Sequence, residues 1–138
     1  MNGPKLIQTP AISDDRGMVC PVELDFAAVR FYTSRNWRVL HYRAWHGHPK
    51  EWRKIRCIAG AAKVCAMDMA DNDRVREFFL TSLKSELLYI PAGWANGWQS
   101  LSLDAELLYM APTHYADRDD VRLDSSIHAE LWEIKEAR

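Results

Sequence analysis

Short runs of β-branched, aromatic and leucine residues, each followed by turn residues, constrain the fold of this chain more than any other feature of its sequence. The runs are five to nine residues long, a typical length for a β-strand. Glycine, proline, aspartate and serine lie between them and favour turns. The pattern predicts an all-β fold, a barrel or sandwich of antiparallel strands. The predicted strands are Arg30–Ser34, Arg38–His46, Lys54–Ile58, Lys63–Met69, Arg76–Thr81, Glu86–Ile90, Gly97–Leu101 and Ala105–Ala111.

The C-terminal segment has a different pattern. Either Ser125 or Ser126 is a suitable first residue for a helix, and Ile127, Leu131 and Ile134 would then share one helical face. We therefore expect a short helix within residues 124–138.

The composition indicates one globular domain that spans residues 1–138. The formal net charge of -1 gives no basic field that would gather nucleic acid or acidic membranes, so we expect neither as a partner. Cys20, Cys57 and Cys65 show no paired spacing, which favours a reducing compartment. The first 17 residues lack the apolar core of a signal peptide. We therefore expect a soluble, cytoplasmic protein.

Two histidines on one predicted strand are the first candidate functional residues. In a strand, residues two apart point to the same face, so His46 and His48 would project together beside Tyr42, with Arg43 and Trp45 on the opposite face. Two neighbouring imidazoles can bind a metal ion or transfer protons. They can also be ordinary histidines that are hydrogen-bonded in a core or at a surface.

A second segment, residues 89–98, combines Pro91 and Gly93 with Asn96 and two tryptophans. Proline and glycine before a strand can form a simple tight turn, so the segment indicates little by itself.

Together the two segments resemble the paired motifs of the cupin superfamily. The first resembles its His-x-His strand, which is followed by a glycine, here Gly60; the second resembles its Pro-x-Gly-x-x-His segment, here residues 91–96. The resemblance implies a cupin-type barrel, that is, a double-stranded β-helix or jelly roll. In metal-binding cupins, two histidines and a glutamate of the first motif and the histidine of the second hold one metal ion.

This sequence departs from the metal-binding pattern at two of those four places. Asn96 replaces the last histidine, Arg53 replaces the glutamate, and Glu51 lies two residues early. An amide is a weak ligand and a guanidinium repels a cation. We therefore predict a site without a metal ion or other cofactor.

Among cupins, the chain from Asp15 to Arg122 resembles the sugar-nucleotide branch, which contains the dTDP-4-dehydrorhamnose 3,5-epimerases and the sugar 3,4-ketoisomerases. Residues 54–60, 90–98 and 105–109 resemble the epimerases. Residues 30–32 and 43–48, Tyr115 and residues 121–122 resemble the ketoisomerases. The resemblance implies an isomerase that acts on a nucleotide-linked 4-keto-6-deoxy sugar in deoxysugar or polysaccharide biosynthesis.

Four features favour the ketoisomerase over the epimerase. The chain has the second histidine and the shorter hairpin of the ketoisomerases. Epimerases pair their histidine with an aspartate beyond a Trp-Pro near the C-terminus, whereas here Trp132 precedes Glu133 and no aspartate follows. His114 stands where epimerases place an acid tyrosine, with Tyr115 one residue later.

The resemblance and the chemistry together assign candidate roles at the reacting sugar. His46 or His48 would act as the base, and the other would act as its partner or as a proton donor. Arg43, or less directly Lys54, would polarise the carbonyl group. Tyr109 would line the barrel and relay a proton, unless it is simply a core residue.

Other residues are candidates for binding the remainder of the substrate. Guanidinium groups suit a diphosphate, which makes Arg30, Arg53 and Arg56 candidates, although an isolated arginine is more often a solvated surface charge. Trp94, like Trp98, would stack on the base or the sugar, or else pack in the core. Asn96 and Tyr115 complete the predicted substrate-binding set.

Two alternatives stay open at this stage. One is a cupin that binds a sugar nucleotide without turning it over. The other is a metal-dependent cupin dioxygenase, which requires Glu51 and a further group to complete a ligand set. Six tryptophans in so short a chain also leave apolar surface for subunit pairing, so we expect a homodimer.

Overall fold

Two five-stranded antiparallel sheets face each other in the computed structural model, which describes residues 3–136. The order in the first sheet is β1-β9-β6-β11-β4, and in the second β12-β5-β10-β7-β8; β2 and β3 form a separate hairpin. The strands are β1 Lys5–Gln8, β2 Ile12–Asp14, β3 Gly17–Val19, β4 Arg30–Arg35, β5 Tyr42–His48, β6 Arg53–Ala59, β7 Ala61–Asp68, β8 Asp71–Thr81, β9 Glu86–Ile90, β10 Trp94–Ser100, β11 Glu106–Ala111 and β12 Val121–Arg122.

The space between the sheets is filled by alternate residues of the facing strands, as the pleat of a strand requires. Ile55, Leu88 and Leu107 from the first sheet and Val64 and Trp98 from the second belong to this buried core. The prediction of an all-β barrel of the cupin type is confirmed.

The predicted strands agree with the observed ones best in the middle of the chain. The strand predicted over 38–46 begins later, at Tyr42, because Leu40 adopts a positive φ of 68°, which is incompatible with a strand. The short strands β1, β2, β3 and β12 were not predicted, since runs of two to four residues carry too little alternation to be recognised.

The C-terminal segment covers the outer face of the second sheet. Trp132 stacks on Tyr42, with ring centroids 5.1 Å apart, and also contacts Trp45, whose indole N–H donates to the Ile127 carbonyl at 2.9 Å. The segment thus adds a second apolar layer behind strand β5, which carries both histidines.

The prediction of a C-terminal helix is wrong. The segment contains a single 3-10 turn, Ala129–Trp132, within the described residues. The reason is local: Ser126 N–H donates to the Asp124 side chain in a turn, and His128 has a left-handed φ of 54° that interrupts a helix. Ile127 and Leu131 do pack against the sheet, but Ile134 is 47% exposed. Residues 137 and 138 of the predicted helix lie outside the described residues.

Within the described part of the chain, no helix has both the length and the apolar character needed to cross a membrane.

Candidate active site

Two cavities meet between the sheets at the inner face of strand β5. The smaller, about 240 Å³, is lined by Arg43, Asn96, Trp98 and Tyr109 among others, and the larger, about 400 Å³, by Arg30 and Tyr115 among others. Tyr32, His46 and His48 line both. The structure therefore brings seven of the ten predicted catalytic and binding residues around one space.

A bulge in β5 decides which residues face this space. The register with β10 pairs Asn96 with His46 but Trp98 with Arg43, so the regular alternation is lost between these positions. Arg43 therefore lies on the cavity side with both histidines, and Tyr42 lies on the outer face. This corrects the sequence prediction, which placed Tyr42 beside the histidines and Arg43 opposite. Gly97 permits the close approach, since a Cβ there would lie 2.7 Å from the Arg43 carbonyl oxygen.

His48 is held by carboxylates. Its Nδ1 lies 3.2 Å from Asp119 Oδ1, to which it donates a hydrogen bond, and 3.3 Å from Glu51 Oε2. This arrangement fixes the proton on Nδ1 and leaves Nε2 as the nitrogen available for chemistry. Burial lowers the pKa of His48 to about 4, and the positive charge of Arg53 adds to the effect. His48 is therefore a neutral imidazole at neutral pH, and its contact with Asp119 is a hydrogen bond of a neutral ring.

Asp119 is the functional candidate that the sequence reasoning missed. Its second oxygen accepts the backbone N–H groups of Lys50, at 2.6 Å, and Glu51, at 3.2 Å. Partial burial acts to raise the pKa of Asp119, but these bonds and the one from His48 outweigh it and hold the pKa below its usual value. No aspartate follows Trp132, as the sequence indicated, but Asp119 supplies a carboxylate partner for His48 from an earlier position in the chain. The only signal was position: Asp119 lies two residues before β12.

His46 is half-buried on the same face. Burial lowers its pKa, and the Arg122 guanidinium on the neighbouring strand β12 lowers it further. Both histidines are therefore neutral near pH 7, the state in which an imidazole can accept a proton.

Arg53 lies next to the site but lines neither of the two cavities. The side chain is fully buried; its Nε donates to Asn96 Oδ1 at 2.8 Å, its Nη2 to the same oxygen, and Nη2 also to the Trp94 carbonyl at 3.0 Å. Burial lowers the pKa of Arg53 to about 10, so it stays charged at neutral pH. The prediction that Arg53 binds a diphosphate is corrected by this burial. Asn96 lines the cavity but also serves as the acceptor for Arg53.

Lys54 and Trp94 lie away from the histidines, contrary to prediction. Lys54 alternates with Arg53 on β6, faces the outside of the first sheet and pairs with Asp25 at 3.1 Å. Trp94 is buried in the core and borders a separate cleft, where Arg74 lies 5.4 Å above its ring. The strand alternation that places Arg53 inside necessarily places Lys54 outside.

Tyrosines form the wall that the first sheet contributes. Tyr109 stacks on Tyr32 with ring centroids 4.6 Å apart and planes 4° apart. Burial raises the pKa of Tyr109 far above its usual range, so its hydroxyl stays protonated and can only donate or relay a proton. Tyr115 lies at the rim, 66% exposed, beneath the guanidinium of Arg118 at 3.7 Å.

Arg30 lines the larger cavity but is not a free cation. Its Nη2 pairs with the Glu51 carboxylate, at 2.9 and 3.1 Å to the two oxygens, and its Nη1 donates to the Thr113 carbonyl at 2.7 Å. Glu51 is almost completely buried. Arg30, which was predicted to bind the diphosphate, is thus already paired with a carboxylate of the protein.

Among residues 3–136, His48, Glu51 and Asp119 offer one cluster of potential metal donors, each atom within 4.8 Å of the others. The contacts already described account for all three groups: Arg30 neutralises Glu51, and Asp119 holds the Nδ1 proton of His48. An ion would have to displace both the guanidinium and that proton, so the prediction of a metal-independent site stands as a prediction.

Comparison with known proteins shows which family this chain matches. The profile of the dTDP-4-dehydrorhamnose 3,5-epimerase family matches residues 1–132. Among curated protein sequences, none matches significantly.

Solved structures of both kinds of enzyme have the same fold. A histidine-to-asparagine variant of the 3,4-ketoisomerase QdtA from Thermoanaerobacterium thermosaccharolyticum, in complex with TDP-4-keto-6-deoxyglucose, is 20% identical; the match covers 96% of this chain and 92% of that one, with a TM-score of 0.77. The TDP-quinovose 3,4-ketoisomerase WlaRB from Campylobacter jejuni is 19% identical over 96% and 98%, with a TM-score of 0.76.

The dTDP-4-dehydrorhamnose 3,5-epimerase from Bacillus anthracis, with TDP and pyrophosphate bound, is 20% identical; the match covers 91% of this chain and 82% of that one, with a TM-score of 0.79. At these identities the structural likeness establishes the fold and does not separate the two reactions. Because the family profile covers nearly the whole chain, this protein belongs to the dTDP-4-dehydrorhamnose 3,5-epimerase family of dTDP-sugar isomerases.

Proposed function

We propose that this protein is a metal-independent 3,4-ketoisomerase of a dTDP-linked 4-keto-6-deoxyhexose. The observation that carries the proposal is the pair His46 and His48, which face the same two cavities from one strand. Two neutral imidazoles side by side can serve two adjacent carbons along one edge of a sugar ring.

The reaction is an internal exchange of protons. Carbon 3 loses its proton to a base while the carbonyl oxygen on carbon 4 gains one, which gives an enediol. The hydroxyl on carbon 3 then loses its proton and carbon 4 gains one, so that the ketone has moved to carbon 3. No oxidant, reductant or co-reactant is consumed.

His48 is the better base of the two. Asp119 accepts its Nδ1–H and stabilises the imidazolium that forms when Nε2 takes the proton from carbon 3. His46, which lies two residues away on the same face, is placed to exchange protons with the oxygens on carbons 3 and 4. Arg43, whose Nε donates to Asn36 at 2.8 Å, supplies positive charge where the enediolate develops.

The remaining lining suits a nucleotide-linked sugar. The stacked Tyr32 and Tyr109 give a flat wall against the sugar, and the rim pair Tyr115 and Arg118 offers an aromatic face and a cation outside it. Two of the structural relatives named above, the QdtA variant and the Bacillus anthracis epimerase, have a TDP-linked 4-keto sugar and TDP bound, respectively, which supports a substrate of this class. Deuterium labelling of the product in heavy water, described at the end of the Discussion, tests the reaction directly.

The second candidate is a 3,5-epimerase, and two observations favour it. Asp119 supplies the carboxylate partner for a histidine, and Tyr109 contributes a protonated hydroxyl to the cavity that the histidines line. An epimerase returns a proton at carbons 3 and 5 from the opposite side of the ring, so the same labelling experiment separates the two reactions.

A further inference from the structure

The Arg30–Glu51 ion pair is a buried feature that the proposed reaction does not use. Glu51 follows β5 in the connection to β6, its side chain is 1% exposed, and that of Arg30 is 12% exposed. A carboxylate is costly to bury unless a cation compensates it. Arg30 provides that compensation from β4, in the sheet that also contains β6.

Glu51 touches the site at one atom. Its Oε2 lies 3.3 Å from His48 Nδ1, the nitrogen that donates to Asp119 at 3.2 Å. Two carboxylates therefore face one ring nitrogen, but only Glu51 is neutralised by a guanidinium. Without Arg30, two uncompensated carboxylates would draw a proton onto His48 and remove the free base.

We propose that the Arg30–Glu51 pair is a positioning device for His48, in which Arg30 neutralises Glu51 so that Asp119 alone fixes a neutral imidazole. This rests on the proposed role of His48 as the base and adds Arg30 and Glu51 as positioning residues. It also assigns Arg30 to the protein's own carboxylate in place of the substrate diphosphate.

Several other charged or titratable groups face His48, and they stay constant in the test below. They are Arg53 from β6, Asp119 and Asp120 before β12, His46 and Arg43 on β5, Tyr32 on β4, Tyr109 on β11, and Tyr115 and Arg118 at the rim. These groups are unaltered in every variant, and Arg30 also lies over the Tyr32 ring at 5.3 Å, so the ion pair is reported by comparing variants with and without the Glu51 charge.

The test is the titration of His48, followed by nuclear magnetic resonance of the labelled imidazole in the free protein. Arg30→Gln leaves Glu51 uncompensated, and we expect the pKa of His48 to rise by about one unit or more, the usual effect of one nearby charge. The double variant Arg30→Gln/Glu51→Gln removes both charges, and we expect the pKa to return close to its value in the unmodified protein. Arg30→Lys keeps the charge, so we expect only a small shift.

Arg35→Gln is the matched control, because Arg35 is on the same strand and pairs with Glu106 at 3.1 Å on the exposed side. We expect no shift of the His48 pKa in this variant. If Arg30→Gln and the double variant titrate alike, or if neither differs from Arg35→Gln, Glu51 does not act on His48 and the proposal is wrong. If Arg30→Gln does not fold, a shift of a full unit in Arg30→Lys would overturn it instead. Because no substrate is present, failure here leaves the choice of reaction untouched, and failure of the ketoisomerase proposal leaves this result standing.

Discussion

Asp119 and His48 are 71 residues apart in the chain, and Asp119 Oδ1 nevertheless accepts a hydrogen bond from His48 Nδ1 at 3.2 Å. The pairing of β12 with β5, which sets Val121 opposite Gly47 and Arg122 opposite His46, brings the two together. The base of the proposed reaction is therefore oriented by a residue that lies just before β12, the final strand in the chain.

Replacing the carboxylate of Asp119 should impair catalysis without unfolding the protein. In Asp119→Asn the amide no longer stabilises the imidazolium, so we expect kcat to fall by ~10-fold or more, within the usual range for a perturbed acid–base group. Steady-state kinetics of the purified variant check this. Asp117→Asn, which alters an exposed aspartate in the 3-10 turn Tyr115–Asp117, is the control and should keep its rate. An unchanged kcat in Asp119→Asn would remove Asp119 from the mechanism.

Each of the two histidines should matter for turnover. We expect His46→Asn and His48→Asn each to lower turnover by ~10²-fold or more, because each loses a group that exchanges a proton with the substrate. Circular dichroism should show a retained fold, since asparagine keeps some polar contacts. His128→Asn, which alters a histidine bound to the Asn72 carbonyl on the far side of the second sheet, is the control. Near-normal rates in both active-site variants would show that neither residue is the base.

The stability of the protein should depend on pH through His48. An unfolded histidine has a pKa near 6.5, whereas burial lowers that of His48 to about 4. Between these two values the unfolded chain binds a proton that the folded protein does not, so the stability contributed by His48 is present above pH 6.5 and is lost as the pH falls towards 4.

The expected loss is ~2 kcal/mol between pH 7 and pH 4.5, from a pKa difference of roughly two units or more. Urea unfolding of the native protein and of His48→Asn at both pH values measures it. The variant should lose less stability than the native protein by about that amount. Equal losses in the two proteins would mean that His48 is not buried as a neutral ring.

Metal analysis tests the prediction of a metal-independent site. The purified protein should contain well under one equivalent of transition metal, and its activity should survive a chelator, because Arg30 and the Nδ1 proton of His48 occupy the positions around Glu51 and Asp119. Stoichiometric metal that is lost together with activity would contradict this reading and favour the cluster of His48, Glu51 and Asp119 as ligands.

The sequence predicted the barrel and the shared orientation of His46 and His48, because both depend on patterns of neighbouring residues along the chain. β9 has the predicted bounds Glu86–Ile90, and strand alternation correctly puts His46 and His48 on one side. The features that were missed depend on pairing between strands. The β5 bulge turns Arg43 towards the cavity, and the pairing of β12 with β5 brings Asp119 next to His48. Neither feature produces a periodic pattern of residues in the sequence.

Charged residues were the least predictable part of the site. Arg53 resembles a surface charge in the sequence, yet Asn96 and the Trp94 carbonyl satisfy it inside the barrel. Whether an arginine meets solvent, a carbonyl or a carboxylate is set by tertiary contacts, and Arg30 on β4 meets Glu51 of the β5–β6 connection, 21 residues away in the chain.

The measurement that tests the central claim most directly is the position of deuterium in the product. The protein is incubated with dTDP-4-keto-6-deoxyglucose in deuterated water, and the sugar is followed by nuclear magnetic resonance, with His48→Asn as the matched control that should form product ~10²-fold more slowly or slower still. The ketoisomerase account predicts a 3-keto product with no deuterium at carbon 5 and no inversion there. Deuterium at carbon 5, or a product epimeric at carbons 3 and 5, would contradict it and establish the epimerase.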